Sequence, residues 1–201
     1  MKNKKFGLYN ILQIAGGVIL AAAIALAIYN IADGRRAKRA SDKALSELDI
    51  KIAENDDVIP EYVLNPDMDM PAEQSDGYNY IGRLEIKPTN TSLPVISEWS
   101  YPGLKIAPCL YSGSAYKNNM IIAAHNYKEH FGTLKYLEKG DKIDFTDING
   151  ILFEYEVSAV EILKADDTER IKDGRYDLTL FTCTTGGQAR VAVRCVRRER
   201  K

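Results

Sequence analysis

Three side chains in the C-terminal half of the chain could cooperate in thiol chemistry. Cys183 ends the apolar run TLFTC, and a turn with two adjacent glycines separates it from the run ARVAVR, which carries Arg190. A hairpin of this length would bring Arg190 back alongside Cys183. His125 follows the apolar run MIIAA, so it would project from the end of a buried strand. A thiol reacts as the thiolate, and a neighbouring imidazole or guanidinium stabilises that anion or handles its proton.

The same residues also have ordinary structural interpretations. A cysteine in an apolar strand is usually a small buried hydrophobe, and a histidine at a strand end is often a structural residue with satisfied hydrogen bonds. Strand alternation puts Arg190 and Arg194 on one face and Cys195 on the other, so Cys195 is predicted to lie in the core. Arg194 is therefore a second candidate for binding an anion. Position alone leaves the reactive and the buried interpretations of Cys183 both open.

The remaining titratable residues form no recognised metal or disulfide pattern. His130 lies five residues after His125 and the three cysteines are scattered, so neither C-x-x-C nor H-x-x-x-H spacing occurs. A disulfide between Cys109 and Cys195 is conceivable, and so is a calcium site in one acidic loop. That loop contains Asp166, Asp167 and Glu169. We predict that the protein uses no metal and no other cofactor.

The overall charge argues against nucleic acid as a partner. The 201 residues include 27 basic and 28 acidic side chains, which gives a net charge of -1. An odd, small number of cysteines implies no disulfide framework. A redox protein is also disfavoured, since no two cysteines are close together in sequence.

The N-terminus is predicted to anchor the protein in a membrane. Residues 6–32 contain no charged side chain, and at about 1.5 Å per residue such a helix can cross a hydrocarbon core about 30 Å thick. A cleaved signal peptide is the alternative, but its apolar core would usually be only about 7 to 15 residues long. Basic residues lie on both sides of the run, including residues 1–5, so charge does not set its orientation.

Residues 33–79 are predicted to link the anchor to a folded domain. Their first part is charged, with apolar residues at helical spacing at Ala40, Leu45, Leu48 and Ile52. This pattern predicts a juxtamembrane helix with a thin apolar stripe. Residues 58–79 contain three prolines and little periodicity, which is typical of a tether or a loop that wraps a domain.

Residues 80–201 are predicted to form a mainly β domain. Seven short apolar runs fit strands: YIGRLEI, LPVISEW, NMIIAAHN, DKIDFTD, ILFEYEVSAVEIL, DLTLFTC and ARVAVRCV. The stretch DING predicts a hairpin turn, and Phe131, Leu134 and Leu137 predict one short helical turn ending near Gly140. Many strands with few helices indicate an antiparallel barrel or sandwich.

Several of these segments resemble one enzyme family. TLFTC, a turn and ARVAVR together resemble the signature of the sortases, the membrane-anchored cysteine transpeptidases of Gram-positive bacteria. NMIIAAHNYKEHFGTLKYLEKGDKI, YIGRLEI and LPVISE resemble the family upstream, so the likeness covers residues 80–198. Ala124 stands where many sortases have glycine. Asn126 fits class B, whereas the short stretch between EIL and DLTLF does not, so the resemblance is class B-like or class D-like.

The resemblance implies a fold and a set of site residues. The domain would be a closed antiparallel β-barrel with short helices, behind the transmembrane helix. Cys183 would be the nucleophile, His125 the general acid and base, and Arg190 the residue that stabilises the oxyanion. Thr182 would add a backbone donor. Two further residues would line the substrate groove, Ser112 and Ser114.

The resemblance also implies a reaction. A sortase cleaves a C-terminal sorting signal of a secreted protein, typically Leu-Pro-x-Thr-Gly-like, and holds the protein as a thioacyl intermediate. An amine of a peptidoglycan precursor or of a pilin lysine then forms the new amide bond. The N-terminus would be inside the cell and the catalytic domain outside, as a single-pass membrane protein. Two alternatives remain: a mainly hydrolytic cysteine peptidase of the same fold, and a non-catalytic, membrane-tethered barrel that binds peptides or carbohydrate.

Overall fold

The first element of the protein is one long helix, α1 (Leu8–Glu47). The computed structural model describes residues 7–48, 50 and 59–198. Within these residues α1 is the one helix long and apolar enough to cross a membrane, with a mean hydropathy of 2.5 in its apolar window. Its 40 residues extend about 60 Å, roughly twice the hydrocarbon thickness. The helix therefore continues beyond the predicted anchor without a break, while the predicted basic segment 1–5 lies outside the described residues.

The second half of α1 packs against the β domain through small side chains. The residues that it buries recur at intervals of three and four, and they are Gly34, Ala37, Ser41, Ala44 and Leu48. The predicted stripe shares only Leu48 with this set, because Ala40 and Leu45 are half-buried and Ile52 lies outside the described residues. Small residues let the helix lie close to the barrel. The apolar stripe predicted from hydrophobicity is therefore rotated around the helix relative to the residues that are buried.

Nine strands make up the β domain, and seven of them lie where the sequence predicts strands. They are β1 (Glu73–Ser75), β2 (Tyr78–Ile86), β3 (Thr91–Ile96), β4 (Cys109–Ser112), β5 (Met120–Ala123), β6 (Lys142–Asp147), β7 (Leu152–Lys164), β8 (Leu178–Cys183) and β9 (Ala189–Arg197). The two unpredicted strands, β1 and β4, have three and four residues. Runs that short carry little periodic signal.

The strands close into the predicted barrel. Their order is β1-β2-β3-β4-β5-β8-β9-β7-β6, and β2 also pairs with β6, which closes an eight-stranded barrel with β1 added beside β2. Most neighbours are antiparallel, whereas β3 with β4 and β5 with β8 run parallel. The parallel pair β5–β8 matters for the site, because the C-terminal ends of its two strands lie side by side.

Turns and short helices connect the strands. The predicted DING hairpin joins β6 to β7, with the Gly150 N–H donating to the Asp147 carbonyl at 3.0 Å and Gly150 at φ +82°. The predicted helical turn is a 3-10 helix, Leu134–Tyr136. A second 3-10 helix is Lys87–Thr89. The short α-helices after α1 are α2 (Glu61–Leu64), α3 (Tyr101–Leu104) and α4 (Thr168–Ile171).

Two apolar clusters stabilise the domain. The barrel interior is filled by alternate strand residues, including Leu84, Phe145, Phe153, Leu180 and Val193. A second cluster covers the outer face of the barrel beneath α1, α3 and α4, and it includes Ala44, Leu48, Ile96, Leu163 and Phe181. Alternate residues of β8 and β9 therefore face the interior or this outer cluster. The outer cluster is the one that reaches the candidate site.

The segment before β2 wraps the barrel. Tyr62 of α2 stacks on Tyr116 with ring centroids 4.6 Å apart, and Arg197 of β9 donates to the Tyr62 hydroxyl at 2.9 Å. β1 then pairs with β2. Of the two predicted roles for residues 58–79, the described part (59–79) matches the wrapping loop.

Candidate active site

The hairpin of β8 and β9 places Cys183 opposite Arg190. The two residues are paired in the antiparallel register of these strands, so their side chains leave the same face of the sheet. Gly186 at φ +87° and Gly187 at φ +74° make the tight reversal, and the Gly187 N–H donates to the Thr184 carbonyl at 2.8 Å. The turn requires glycine because other residues rarely adopt these angles.

The parallel pair β5–β8 brings His125 to the same place. Ala123 pairs with Phe181, and the Ala124 N–H donates to the Phe181 carbonyl at 3.2 Å. His125 follows the end of β5 by two residues, on the side of the sheet where β8 ends in Cys183. The three predicted residues therefore lie at the end of the β5–β8–β9 part of the sheet.

Thr182 links the two strands at this edge. Its side chain is buried, and its hydroxyl donates to the Ala124 carbonyl at 2.8 Å. That hydrogen bond ties β8 to the residue before His125. The hydroxyl thus has a structural partner, and a backbone contact from Thr182 to substrate stays a prediction.

The three cysteines differ in accessibility, and all three are free thiols. Cys183 is partly exposed, whereas Cys109 and Cys195 are buried, as predicted for Cys195. Burial raises the pKa of the Cys109 thiol to about 11 and raises the pKa of Cys195 further above its usual range. The conceivable Cys109–Cys195 disulfide is not formed. Of the three, Cys183 is the one that is partly exposed, and it pairs with Arg190 in the β8–β9 register.

His125 is half-buried and lies in a mixed electrostatic environment. Burial lowers the pKa of its imidazole, the Asp33 carboxylate opposes that shift, and the Lys105 ammonium adds to it. Its ring lies against Tyr127, with centroids 4.9 Å apart. A neutral imidazole at neutral pH can accept a proton, as general base catalysis requires.

The guanidinium of Arg190 lies near the turn and can be re-aimed. It donates to the carbonyls of Gly187 at 3.1 Å and Ala189 at 3.2 Å. Both acceptors lie on the exposed turn that follows Cys183, so exchanging them for a substrate oxygen costs little. The stabilisation of a substrate oxyanion by Arg190 stays a prediction.

Arg194 shares the face of Arg190 but has a different environment. It is fully buried, it donates to Glu161 and Thr179, each at 3.1 Å, and it binds the carbonyls of Ile171 and Arg170 at the end of α4. Every one of these contacts is to the protein itself. The geometry makes Arg194 a residue that fastens α4 to the barrel.

Aromatic side chains cover the outer face next to Cys183. Phe181 lies two residues before it on the same face of β8, and the ring of Tyr111 is 5.2 Å from that of Phe181. Trp99 lies 6.4 Å from Tyr111 and is itself exposed. The Lys172 ammonium is 5.9 Å from the Tyr111 ring. Together Trp99, Tyr111 and Phe181, here called the aromatic row, form a series of ring contacts from exposed Trp99 to buried Phe181, two residues before Cys183.

The two predicted groove serines lie elsewhere. Ser112 ends β4 and pairs with Ile121. Ser114 is buried, its hydroxyl accepts from the Tyr116 N–H at 3.1 Å, and it lines a cavity of about 550 Å³ with Met68 and Met70. This is the N-terminal end of β5, opposite to His125. The structure does not bring Ser112 or Ser114 to Cys183, and their role stays a prediction.

The acidic loop near α4 serves as a helix cap. Asp167 accepts from the Arg170 N–H at 3.2 Å. In the part of the chain that the structure describes, no three His, Cys, Asp or Glu side chains converge as metal ligands.

Sequence reasoning missed two neighbours of His125, namely Tyr127 and Asp33. The Tyr127 hydroxyl donates to the Asp33 carboxylate at 2.5 Å. Asp33 is the first charged residue after the apolar run, which was the one available signal. No local sequence signal predicts that α1 packs against the loop after β5.

Comparison with known proteins finds a matching family model and similar folds. The family model described as Sortase domain matches residues 84–198, which is more than half of the chain. No curated protein matches the chain in sequence.

Solved structures share the fold. A Clostridium perfringens Sortase D5 transpeptidase superposes with a TM-score of 0.60 at 20% identity, covering 80% of this chain and 99% of that one. Sortase C1 from Streptococcus suis gives 0.53 at 24% identity, covering 61% and 74%. Sortase A from Corynebacterium diphtheriae gives 0.55 at 18% identity, covering 86% and 85%.

Proposed function

The chain belongs to the sortase family, and from that premise we propose that it is a cysteine transpeptidase acting on a C-terminal sorting signal of the LPxTG-like kind. The observation that carries the proposal is the pairing of Cys183 with Arg190, with His125 at the end of the adjoining parallel strand. A nucleophile, a proton carrier and a cation on one accessible edge are the groups that acyl transfer needs.

The first half of the reaction breaks the peptide bond. The Cys183 thiolate attacks the carbonyl carbon of the scissile bond, and Arg190 stabilises the negative charge that develops on the oxygen. Neutral His125 has first taken the proton of the Cys183 thiol, and the resulting imidazolium gives that proton to the leaving amine. The sulfur–carbon bond replaces the carbon–nitrogen bond, so the protein is held as a thioester.

The second half makes the new bond. Neutral His125 takes a proton from the incoming amine, whose nitrogen attacks the thioester carbonyl. The Cys183 thiolate leaves and the amide bond is complete. The proposed acceptor is an amine of a peptidoglycan precursor or a pilin lysine, and the reaction needs no cofactor.

The aromatic row is the surface that fits the substrate. An extended peptide crossing it would place an apolar side chain on Trp99 and Tyr111 and its scissile bond at Cys183. Aromatic rings contribute large contact areas to peptide recognition. Because such substrates are secreted, we propose that the catalytic domain is extracellular and the N-terminus cytoplasmic.

Active-site labelling tests whether Cys183 is the nucleophile. A peptidyl vinyl sulfone at neutral pH should label Cys183 and leave Cys109 and Cys195 unlabelled, because burial raises the thiol pKa of both. Cys109→Ala is the matched control and should label like wild type. Equal labelling of all three thiols, or full activity in Cys183→Ala, would instead support a non-catalytic peptide-binding barrel.

A peptide library tests the reaction type. The protein is incubated with peptides carrying varied sorting motifs, together with Gly-Gly-Gly or diaminopimelate. Transpeptidation predicts a ligated product whose yield rises with amine concentration. If only the free acid forms with every amine, the mainly hydrolytic alternative is correct.

A further inference from the structure

The loop that carries His125 is held by the membrane-anchor helix. This segment, residues 124–132, is here called the catalytic loop. It folds back on itself, with the Phe131 N–H donating to the His125 carbonyl at 3.2 Å and the Gly132 N–H to the Tyr127 carbonyl at 2.8 Å. The tip of this loop touches α1, where the Tyr127 hydroxyl donates to Asp33. The ring of Tyr127 in turn lies against the ring of His125.

The contact lies at a defined place on the helix. Asp33 is the first charged residue after the uncharged run, and Gly34 next to it is buried. A Cβ on Gly34 would lie 2.9 Å from the Glu129 carboxylate, so the loop approaches the helix backbone closely. Helix and loop therefore meet where α1 would leave the membrane.

Further contacts keep α1 docked beyond this point. The Ser41 hydroxyl donates to the Ile106 carbonyl at 2.7 Å and lies 3.3 Å from Nε2 of buried His130. Farther along the helix, Lys43 pairs with Asp76 at 2.5 Å. Two of these contacts, Asp33–Tyr127 and Ser41–His130, are to the catalytic loop. The loop cannot move without changing its contacts to α1.

His125 depends on packing for its orientation. Among the described residues, its ring forms no side-chain hydrogen bond, and it lies against the ring of Tyr127. A catalytic imidazole usually takes its orientation from a partner that fixes the ring. Here the Tyr127 hydroxyl is fixed by Asp33, and the Asp33 charge also opposes the lowering of the His125 pKa by burial.

We propose that Asp33 and Tyr127 are positioning residues through which the membrane-anchor helix holds the imidazole of His125 in its working orientation. The inference rests on the proposed transpeptidase function and extends it. It makes the anchor a part of the catalytic machinery as well as a tether. Neither residue touches the reacting atoms, so both act through His125.

The test uses the full-length protein in detergent micelles and the best peptide from the library. The variants are Asp33→Asn, Tyr127→Phe and the double variant. Asp42→Asn is the control on the same helix, because Asp42 is exposed and pairs with Lys38. Tyr136→Phe is the control for the tyrosine, because Tyr136 is exposed and lies just past the loop.

Positioning predicts a specific pattern of loss. Each single variant should lower kcat by about tenfold to a hundredfold with KM unchanged, as expected for a misplaced catalytic group. The double variant should be no slower than the slower single variant, because both remove one link. Both controls should keep wild-type kcat.

The pH profile separates positioning from a merely structural role. The charged groups that act on His125 are Asp33 from α1 and Lys105 after α3, and His125 in turn lowers the pKa of His130 in its own loop. Asp33→Asn removes an anion that raises the pKa of His125, so the acid limb of the kcat profile, where His125 becomes protonated, should move to lower pH. Tyr127→Phe keeps the anion and should move this limb less. A structural role would lower the melting temperature without moving the limb.

The outcomes distinguish the two proposals. If wild type labels Cys183 and ligates peptide while both variants keep wild-type kcat, the positioning role is wrong and the transpeptidase stands. An equal loss in Asp42→Asn would also overturn it. If full-length wild type neither labels at Cys183 nor turns over any peptide, the proposed function itself fails.

Discussion

Two arginines of β9 show how burial separates a candidate site residue from a structural one. Arg190 and Arg194 lie on the same face, four residues apart, and the sequence offers both as partners of the thiol. Arg190 is only partly buried and donates to turn carbonyls. Arg194 is 1% exposed and is bound by Glu161 and by α4. Strand alternation predicts that the two arginines share one face of β9. Only the packing of α4 shows that Arg194 is the structural residue of the two.

Substitution by lysine should separate the two arginines. Arg190→Lys should lower kcat, with a loss of about 2 to 4 kcal/mol of transition-state stabilisation, because a lysine lacks the planar guanidinium fork that binds an oxyanion. Its melting temperature should change little. Arg194→Lys should destabilise the fold by about 3 kcal/mol, because Glu161 and the α4 carbonyls lose a buried partner. Steady-state kinetics and thermal melting of both variants check this. Loss of stability in Arg190→Lys alone would reverse the assignment.

The catalytic loop illustrates what the elements of the fold contribute. Strand periodicity, the Gly-Gly turn and the DING hairpin are local signals, so seven strands and the Cys183–Arg190 pairing could be predicted from sequence. The closure of β2 on β6 depends on residues some 60 positions apart, and only the family resemblance suggested it. The docking of α1 had no local signal, since its buried residues are small and its partners are remote. For the same reason Asp33 and Tyr127 were not predicted.

Gly132 controls the shape of this loop. A Cβ at residue 132 would lie 2.6 Å from the Asn126 carbonyl oxygen and 2.7 Å from that of Tyr127. Backbone cannot yield as a flexible side chain can, so Gly132→Ala should cost roughly 1 to 3 kcal/mol of stability and lower kcat by displacing His125.

Gly174→Ala is the matched control for the loop. Nothing lies within 4 Å of a Cβ at residue 174, so that variant should keep wild-type kcat and melting temperature. Equal behaviour of the two alanine variants would show that the loop tolerates displacement.

His130 should make the docked loop sensitive to acid. Burial lowers the pKa of His130 from 6.5 to about 4, so the folded protein holds it neutral where the unfolded chain binds a proton. The contribution of neutral His130 to the free energy of unfolding is fully present above pH 6.5 and is lost as pH falls from 6.5 towards 4. A shift of this size is worth about 3 kcal/mol. Urea unfolding of wild type and His130→Gln at pH 7 and pH 4.5 measures it.

The substituted protein supplies the comparison for this pH effect. His130→Gln has no imidazole to protonate, so it should lose less stability than wild type between these two pH values. The remaining acid loss in the variant comes from carboxylates and is common to both proteins. An identical loss of stability in the two proteins would mean that His130 is protonated to the same extent in the folded and the unfolded wild-type protein.

At the scale of the whole molecule, one helix joins the membrane to the active site. The first half of α1 is exposed along its length and suits a bilayer, while the second half buries Ala37, Ala44 and Leu48 against the domain. The point of change, near Asp33, is also where the catalytic loop makes contact. The loop that carries His125 is therefore in direct contact with the end of the proposed membrane segment.

Two truncated proteins test whether the docked half of α1 belongs to the folded domain. A fragment starting at Asp33 keeps that half, and a fragment starting at Ile59 lacks it. The shorter fragment exposes the surface that Ala44 and Leu48 cover, together with Ile96 and Leu104 of the same cluster. One leucine and two alanines buried on α1 contribute about 3 kcal/mol, so the shorter fragment should melt roughly 10 °C lower. It should also bind more of an apolar fluorescent dye, because the uncovered cluster is accessible to it. Equal melting temperatures and equal dye binding would mean that α1 contacts the domain without stabilising it. In that case α1 would only link the membrane segment to the domain.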